Sequence, residues 1–528
     1  MSDFPTSRRE FIKTAGAGAL ALPLLGRSEE TEKDDRPNVI LIYVDDASFY
    51  HFGCYGGPVA TPNIDSLARN GIKFTRFYVS SAVCTPSRYG VVTGRFASRS
   101  RALLDDFPQG KPVSLSWNTF VSRAEETLAG VLKKNGYATG MVGKWHLSPM
   151  DPGINQDRES IDPETPGGIA RLESRYHRDC SIIREVGGFD YADAVYFTNI
   201  NALPIPRRLR YHNVEWQVRK AMDFVEQNKD RPFFLYWATP IIHSPNPMLS
   251  LESDPTITPK GYLKEAPNVQ PPRKDLFDRL YTYGVIDPRE DGKGYWETLY
   301  GAAGMAWLDE GIGALLKYLD RLGLAENTMI IVASDNGYQR GKNTCYEAGA
   351  NVPCVVHRPE KVPAGVECGQ LVSNVDIAPT VLAACGIAPP AEVQMDGVDF
   401  RPLFEEPDKP VRNSVYCEIG YTRAVVTKEW KYLAVRYPDE VNRQISAANR
   451  QEFSHDGTRD VDHRFGAHIY YPGYFDCDQL YCLKDDPDEQ INLAGNPRHA
   501  SRLDELKGEM EKYCKGLPHS FGEFKKNF

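Results

Sequence analysis

Asn38-Val39-Ile40-Leu41-Ile42-Tyr43-Val44-Asp45-Asp46 is the stretch whose reading decides the fold. An unbroken apolar run cannot alternate between a wet face and a dry one, so both faces of this strand must be buried, as when helices cover the two sides of a sheet. Two aspartates then stop the run abruptly. The layout recurs along the chain. Thr328 to Ala333 ends at Ser334-Asp335-Asn336-Gly337, Phe233 to Trp237 ends shortly before His243, and Ala138 to Val142 ends before Lys144-Trp145-His146. Ligands in α/β sheets gather at the carboxyl ends of strands, so these strands carry polar residues to one edge.

Helical spacing of apolar residues appears between the strands, in Ile64 to Ala68, in Leu128 to Lys134, and from Leu299 through Leu308, Ile312, Leu315, Leu316 and Leu319. Asn374 to Thr380 opens a further helix. Strands alternating with helices predict an α/β domain whose central sheet is flanked by helices. Past Pro402 the pattern changes. Val425 to Thr427, Trp430 to Val435 and a closing amphipathic segment with Leu503, Leu506, Met510 and Tyr513 predict a smaller C-terminal α+β subdomain. With the boundary near Pro407 to Pro410, the expected division is a catalytic domain over 36–408 and the subdomain over 409–528, preceded by residues 1–35. Pro149 to Arg208, Pro245 to Tyr295 and Tyr437 to Phe475 lack a regular core pattern and are expected to be irregular rims where selectivity resides.

The chain has 528 residues, 41% of them hydrophobic, with scattered Gly and Pro and no repeated tract. That is ample for one large domain and a smaller one. A formal net charge of −9 argues against a nucleic-acid partner, because a duplex binder needs a basic face to displace counterions. Eleven cysteines without a Cys-x-x-Cys pair fit neither a dense disulfide scaffold nor a zinc site. Cys477 and Cys482 are near enough in sequence to bridge, and burial as reduced thiols is an equal reading.

At the N-terminus, Thr6-Ser7-Arg8-Arg9-Glu10-Phe11-Ile12-Lys13 precedes an Ala/Gly-rich apolar run from Thr14 to Gly26. It resembles a twin-arginine export signal, and the run is too short for a stable membrane anchor. The expected partner is the twin-arginine export machinery, and the expected location is the bacterial periplasm or beyond.

Cys84-Thr85-Pro86-Ser87-Arg88, followed by Val92-Thr93-Gly94-Arg95, carries the chemistry. The segment resembles the Cys-x-Pro-x-Arg signature of the type I sulfatases, a family of the alkaline phosphatase superfamily. The resemblance extends over roughly residues 36 to 515, through Gly53-Cys54-Tyr55-Gly56, Thr61-Pro62-Asn63-Ile64-Asp65, Asp396-Gly397-Val398-Asp399 and Asn492-Leu493. It implies an alkaline-phosphatase-like mixed sheet. It also implies that a formylglycine-generating maturation enzyme oxidises Cys84 to Cα-formylglycine (3-oxoalanine). The hydrated aldehyde would offer one hydroxyl to attack sulfur and a second to release the sulfate, dividing one hard step into two easier ones.

Asp45, Asp46, Asp335 and Asn336 make an oxygen-only set suited to a hard cation. Alone, each Asp pair at a strand end reads first as a helix cap or turn. The resemblance implies that these four, with residue 84, surround calcium or magnesium. It further implies that Lys144 and His146 of Gly143-Lys144-Trp145-His146, Lys342 of Gly341-Lys342-Asn343, and Arg88 serve the reaction. His243 of His243-Ser244-Pro245 would protonate the ester oxygen, and Lys144, His243 and Lys342 would bind the sulfuryl group. Asn351 stands where many members carry arginine. The expected activity is sulfate monoester hydrolysis, with a sulfated carbohydrate as substrate, because the aromatic-rich stretch from His463 to Tyr474 suits stacking on sugars; Tyr470, Tyr471 and Tyr474 also read as a structural cluster near His455, His463 and His468. A phosphonate or phosphate monoester hydrolase and a noncatalytic glycan-binding relative are the alternatives.

Overall fold

Residues 36–150, 158–282, 295–459 and 467–522 are described by the computed structural model of the chain. Residues 1–35, where the sequence resembles an export signal, and His463 lie outside the described residues. The first strands are β1 (Asn38–Val44), β2 (Ile72–Tyr78), β3 (Ala138–Lys144), β4 (Tyr191–Tyr196) and β5 (Phe233–Ala238). A short hairpin follows, β6 (Ile257–Thr258) with β7 (Gly261–Tyr262). Then come β8 (Thr328–Ser334), β9 (Asn351–His357), β10 (Val366–Cys368) and β11 (Val372–Ser373), and last β12 (Val415–Ile419), β13 (Thr422–Val426), β14 (Trp430–Val435) and β15 (Asp478–Cys482).

The main sheet runs β10-β2-β9-β8-β1-β5-β3-β4, with β11 also paired to β2. From β8 to β4 all neighbours are parallel, whereas β9 is antiparallel to both β8 and β2, so the sheet is mixed. Every residue of β1 and β8 is buried, as their uninterrupted apolar sequences require. Register does the rest. Val44 pairs with Ser334, Tyr43 with Ala238, and Ala238 with Gly143. The ends of β1, β8, β5 and β3 are therefore flush, and Asp45, Asp335 and Lys144 leave the sheet at one level.

Gly143 shows how tightly that edge is built. Its φ is +98°, and an added Cβ would lie 2.1 Å from the Ala238 carbonyl oxygen. The β3–β4 register shifts between Val142 and Gly143, a bulge that re-aims the chain just before Lys144.

Flanking helices meet the sheet through their apolar faces. Helix Tyr295–Arg321 also holds helix Pro62–Arg69 by its first turn. There Asp309 accepts from the backbone N–H groups of Asn63 (3.2 Å) and Ile64 (2.8 Å) and from Asn63 Nδ2 (2.8 Å). A carboxylate from a neighbouring helix thus satisfies N–H groups that a helix cannot satisfy itself.

The C-terminal region carries its own antiparallel sheet, β12-β13-β14-β15. Alternation along β12 assigns its faces. Val415, Cys417 and Ile419 join a core shared with Val83, Cys345 and Tyr346, while Tyr416 packs with Leu503, Leu506 and Met510 of helix Ala500–Lys515. This sheet therefore bears directly on the loops that flank Cys84 and Lys342.

The three stretches read as irregular contain regular elements. The first holds a helix, Pro166–Gly187, and β4 at the edge of the main sheet. Its buried positions Leu172, Tyr176, Cys180 and Ile183 follow helical spacing, but a stripe this sparse among polar residues gives a weak sequence signal. The second holds helices Pro247–Glu252 and Arg273–Thr282. The third holds Asp439–Ala447.

Candidate active site

Cys84 is the first residue of helix Cys84–Thr93, all ten residues of which are buried. The helix is pinned to the sheet by polar contacts that no local pattern announces. Tyr43 Oη lies 2.8 Å from Ser87 Oγ. Asn374 donates from Nδ2 to the Ser87 carbonyl (3.0 Å) and accepts at Oδ1 from Ser80 N–H (2.8 Å). One turn after Cys84, on the same helix face, comes Arg88.

The charged side chains converge around Cys84. Cys84 Sγ is 3.4 Å from Asp45 Oδ1. Ligand atoms of Asp45, Asp46 and Cys84 all lie within 4.8 Å of one another, and all three residues are buried. Asp335 adjoins them. Its Oδ1 accepts from Asp46 N–H (3.0 Å), and its Oδ2 pairs with Arg88 Nη2 at 2.8 Å. Arg88 also approaches Asp45 Oδ1 at 3.7 Å and donates to the Lys144 carbonyl at 3.1 Å. Lys144 Nζ pairs with Asp45 Oδ2, and Lys342 Nζ lies 2.7 Å from each Asp46 carboxylate oxygen. His243 Nε2 stands 3.9 Å from Asp46 Oδ2. The structure thus brings together Asp45, Asp46, Cys84, Arg88, Lys144, His243, Asp335, Asn336 and Lys342, with His146 two residues beyond Lys144. Asp46 and Asn343 have φ of +63° and +64° and His146 +57°, sparsely populated values that concentrate at functional sites.

Burial sets the electrostatics. Burial pushes the Cys84 thiol far above its ordinary range, and the Asp45 carboxylate adds to this. Burial would also raise Asp45, but Lys144 and Arg88 outweigh it and hold that carboxyl well below the usual range. Asp335 is pushed up to about 7 by burial and by Asp45. Burial lowers both histidines. His146 is held well below its ordinary value, with Lys144 and Arg88 adding to the effect; His243 falls to about 4, with Lys342 and Lys144 contributing. Lys342 is raised because Asp46 outweighs its burial.

The donor set fits a hard divalent cation. Three carboxylates crowd one buried edge. Asn336 Nδ2 donates to Asp46 Oδ1 (2.7 Å) and to the Gly337 carbonyl (2.9 Å), while its Oδ1 is buried without a hydrogen-bond partner. An orphaned amide oxygen among carboxylates is what an oxygen-seeking ion would use.

The tyrosine-rich stretch departs from its expected role. Tyr471 and Tyr474 are buried. Tyr471 stacks on Tyr346 at 3.7 Å between ring centroids, and Tyr474 stacks on His455 at 3.9 Å. These rings belong to the core beneath β12, so they do not present faces to a sugar. Tyr470 is 40% exposed, with Arg340 over its ring. All eleven cysteines are unpaired, including Cys477 and Cys482.

Known sulfatases resemble the chain over most of its length. A model of the sulfatase family matches residues 37–387. Human arylsulfatase A is 28% identical over 501 residues, covering 87% of this chain and 83% of its own. An N-acetylglucosamine-6-O-sulfatase of Bacteroides thetaiotaomicron is 26% identical over 550 residues, covering 94% and 90%. A solved structure in complex with its substrate, D-glucosamine-2-N,6-O-disulfate, shares the fold at a TM-score of 0.57 and 21% identity, covering 92% of this chain and 99% of that one. With the family model matching residues 37–387 and sulfatases similar over most of their length, the chain belongs to the sulfatase family and is a sulfuric ester hydrolase.

Proposed function

We propose that this protein is an exported sulfatase acting on a sulfated carbohydrate, that Cys84 works as Cα-formylglycine, and that calcium or magnesium is held by Asp45, Asp46, Asp335 and Asn336. The observation that carries the proposal is the burial of a thiol beside a carboxylate. Held protonated by its surroundings, the cysteine as encoded is a poor nucleophile. As formylglycine, residue 84 would supply a hydrated aldehyde with one hydroxyl for attack and one for sulfate release. The cation would screen the negative charge of the sulfuryl group.

The remaining work falls to side chains on the page. Lys144 and Lys342 are aimed by Asp45 and Asp46 and would neutralise the sulfuryl oxygens next to residue 84. His146 has a buried Nδ1 without a hydrogen-bond partner and a neutral ring, the state required of a proton acceptor. His243 rests neutral because burial and the two lysines disfavour its charged form. A bound sulfate ester would oppose that bias by placing negative charge nearby, so His243 would take up a proton more readily as substrate arrives and would then deliver it to the departing alcohol oxygen.

The names of the relatives support the substrate class, since one acts on N-acetylglucosamine 6-sulfate groups and a structural neighbour binds a disulfated glucosamine. The twin-arginine motif in residues 1–35 supports export, and the C-terminal sheet β12–β15, though it shares its core with the rest of the chain, is the ground for a division after residue 408. Matured enzyme assayed against defined sulfated saccharides tests the substrate class, and failure on all of them with turnover of simple aryl sulfates overturns it. His243→Ala tests the proton donor. General acid help of about 10²–10⁴-fold matters for a sugar alcohol and little for nitrophenolate. Equal losses of kcat/KM on both substrates would refute the acid role.

A further inference from the structure

His212 lies outside the charged cluster, two residues before helix Val214–Gln227, and is 1% exposed. Its Nε2 is 2.9 Å from the carbonyl oxygen of His243 and 2.9 Å from that of Pro245. Both partners can only accept, so Nε2 carries the proton. A neutral ring then has a bare Nδ1, and Nδ1 is buried with no hydrogen-bond partner. Charging the ring would create a buried donor with nothing to bind.

The neighbouring contacts turn this single N–H into an anchor. His212 N–H donates to Ser250 Oγ at 3.1 Å. Asn213 caps the helix by accepting from Trp216 N–H at 2.9 Å, and its Nδ2 donates to the carbonyls of Pro255 (2.7 Å) and Ile257 (2.9 Å). Two consecutive residues therefore grip the chain from 243 to 257. The His243 side chain has much less to hold it. Its Nδ1 meets its neighbour Ser244, at 3.2 Å from both O and Oγ, and its Nε2 faces Asp46 Oδ2 at 3.9 Å.

We infer that His212 is a positioning residue of this enzyme: its Nε2–H clamps the carbonyls on either side of Ser244 and so sets where His243 presents its own Nε2. The inference rests on the reading of His243 as proton donor to the leaving oxygen. It adds a residue that touches neither substrate nor reacting atoms and acts through the backbone of one that does. Such a clamp matters because a displacement of about 1 Å at a reacting group can cost about 10²-fold in rate.

The test is a double-mutant cycle on the matured enzyme. His212→Leu keeps most of the ring's volume and removes the donor. It should lower kcat on a saccharide sulfate by about 10–100-fold with little change in KM, and lower turnover of nitrophenyl sulfate much less. His212→Gln, whose amide N–H reaches nearly the same place, should restore most of the loss. In the His243→Ala background, His212→Leu should add almost nothing on either substrate, because the residue it positions is gone. If His212→Leu fails to fold, His212→Asn carries the same comparison, its shorter amide falling short of the carbonyls. A full loss persisting in the His243→Ala background, or no rescue by glutamine, overturns the inference. The acid role fails separately, through equal losses on the two substrates in His243→Ala alone.

Discussion

Replacing Arg88 by methionine should destabilise the protein more than almost any other single change at the site. The guanidinium and the groups it meets are fully buried. It contacts Asp335 Oδ2 at 3.0 Å through Nε and 2.8 Å through Nη2, approaches Asp45 at 3.7 Å, and donates to the Lys144 carbonyl at 3.1 Å. At an effective dielectric constant near 20, one unit-charge pair at this range is worth roughly 6 kcal/mol gross. Removing one partner of a buried pair costs about 3–5 kcal/mol net, and the orphaned Lys144 carbonyl adds about 1 kcal/mol. Scaling from smaller domains, a chain this long shifts by about 1–2 °C per kcal/mol, so the apparent Tm in chelator should fall by about 4–12 °C. Thermal melts followed by circular dichroism, with EDTA and then with added calcium, provide the assay. Calcium should narrow the gap between Arg88→Met and wild type, because a cation replaces part of the missing positive charge. A variant that melts within 1 °C of wild type in EDTA, or one that calcium rescues no more than wild type, would refute this reading of the buried charges (about 1 °C being roughly the effect of 1 kcal/mol here).

Asp335→Ala should lose bound metal, measured on the purified protein by elemental analysis, together with sulfatase turnover; retention of both would remove Asp335 from the ligand set. Asp309 supplies the pH test. Its folded carboxyl is raised to about 6 by burial, above its unfolded value near 4. The native state therefore binds the extra proton between those values, and this group's contribution to stability declines as pH rises through that window, by about 3 kcal/mol in all. Asp309→Asn, which does not titrate, should flatten the fall of Tm between about pH 4 and pH 6 relative to wild type. An unchanged slope would assign the effect elsewhere. The same variant at neutral pH should still be less stable, because an amide accepts less strongly from Asn63 and Ile64 than a carboxylate.

Much of the fold was legible because β1, β5 and β8 are buried on both faces, and complete burial leaves an unbroken apolar run. The site was legible for a related reason. The strands end flush, so residues that follow each run, such as Asp45, Lys144 and Asp335, meet in space although far apart in sequence. What stayed hidden acts through backbone atoms or through sparse patterns. Asn374 and His212 bind carbonyl and N–H groups of distant segments, and backbone groups have no sequence signature. Helix Pro166–Gly187 escaped notice because its buried stripe is broken by arginines and glutamates that suit its exposed side. The tyrosines at 471 and 474 were ambiguous because a stacked core pair and a sugar-binding rim have the same composition. Their burial beneath Tyr346 and beside His455 decides between the two.

Catalysis turns on the state of residue 84. Its thiol is buried, held protonated beside Asp45, and surrounded by cations and histidines that have no work to do with an inert cysteine. Peptide mass spectrometry of fully active enzyme, on the fragment that contains Cys84 to Arg88, reads that state directly. The expected result is the mass of an aldehyde in place of the thiol, in a fraction that tracks specific activity across preparations made with and without the maturation enzyme. Fully active protein with an intact thiol at residue 84 would contradict it.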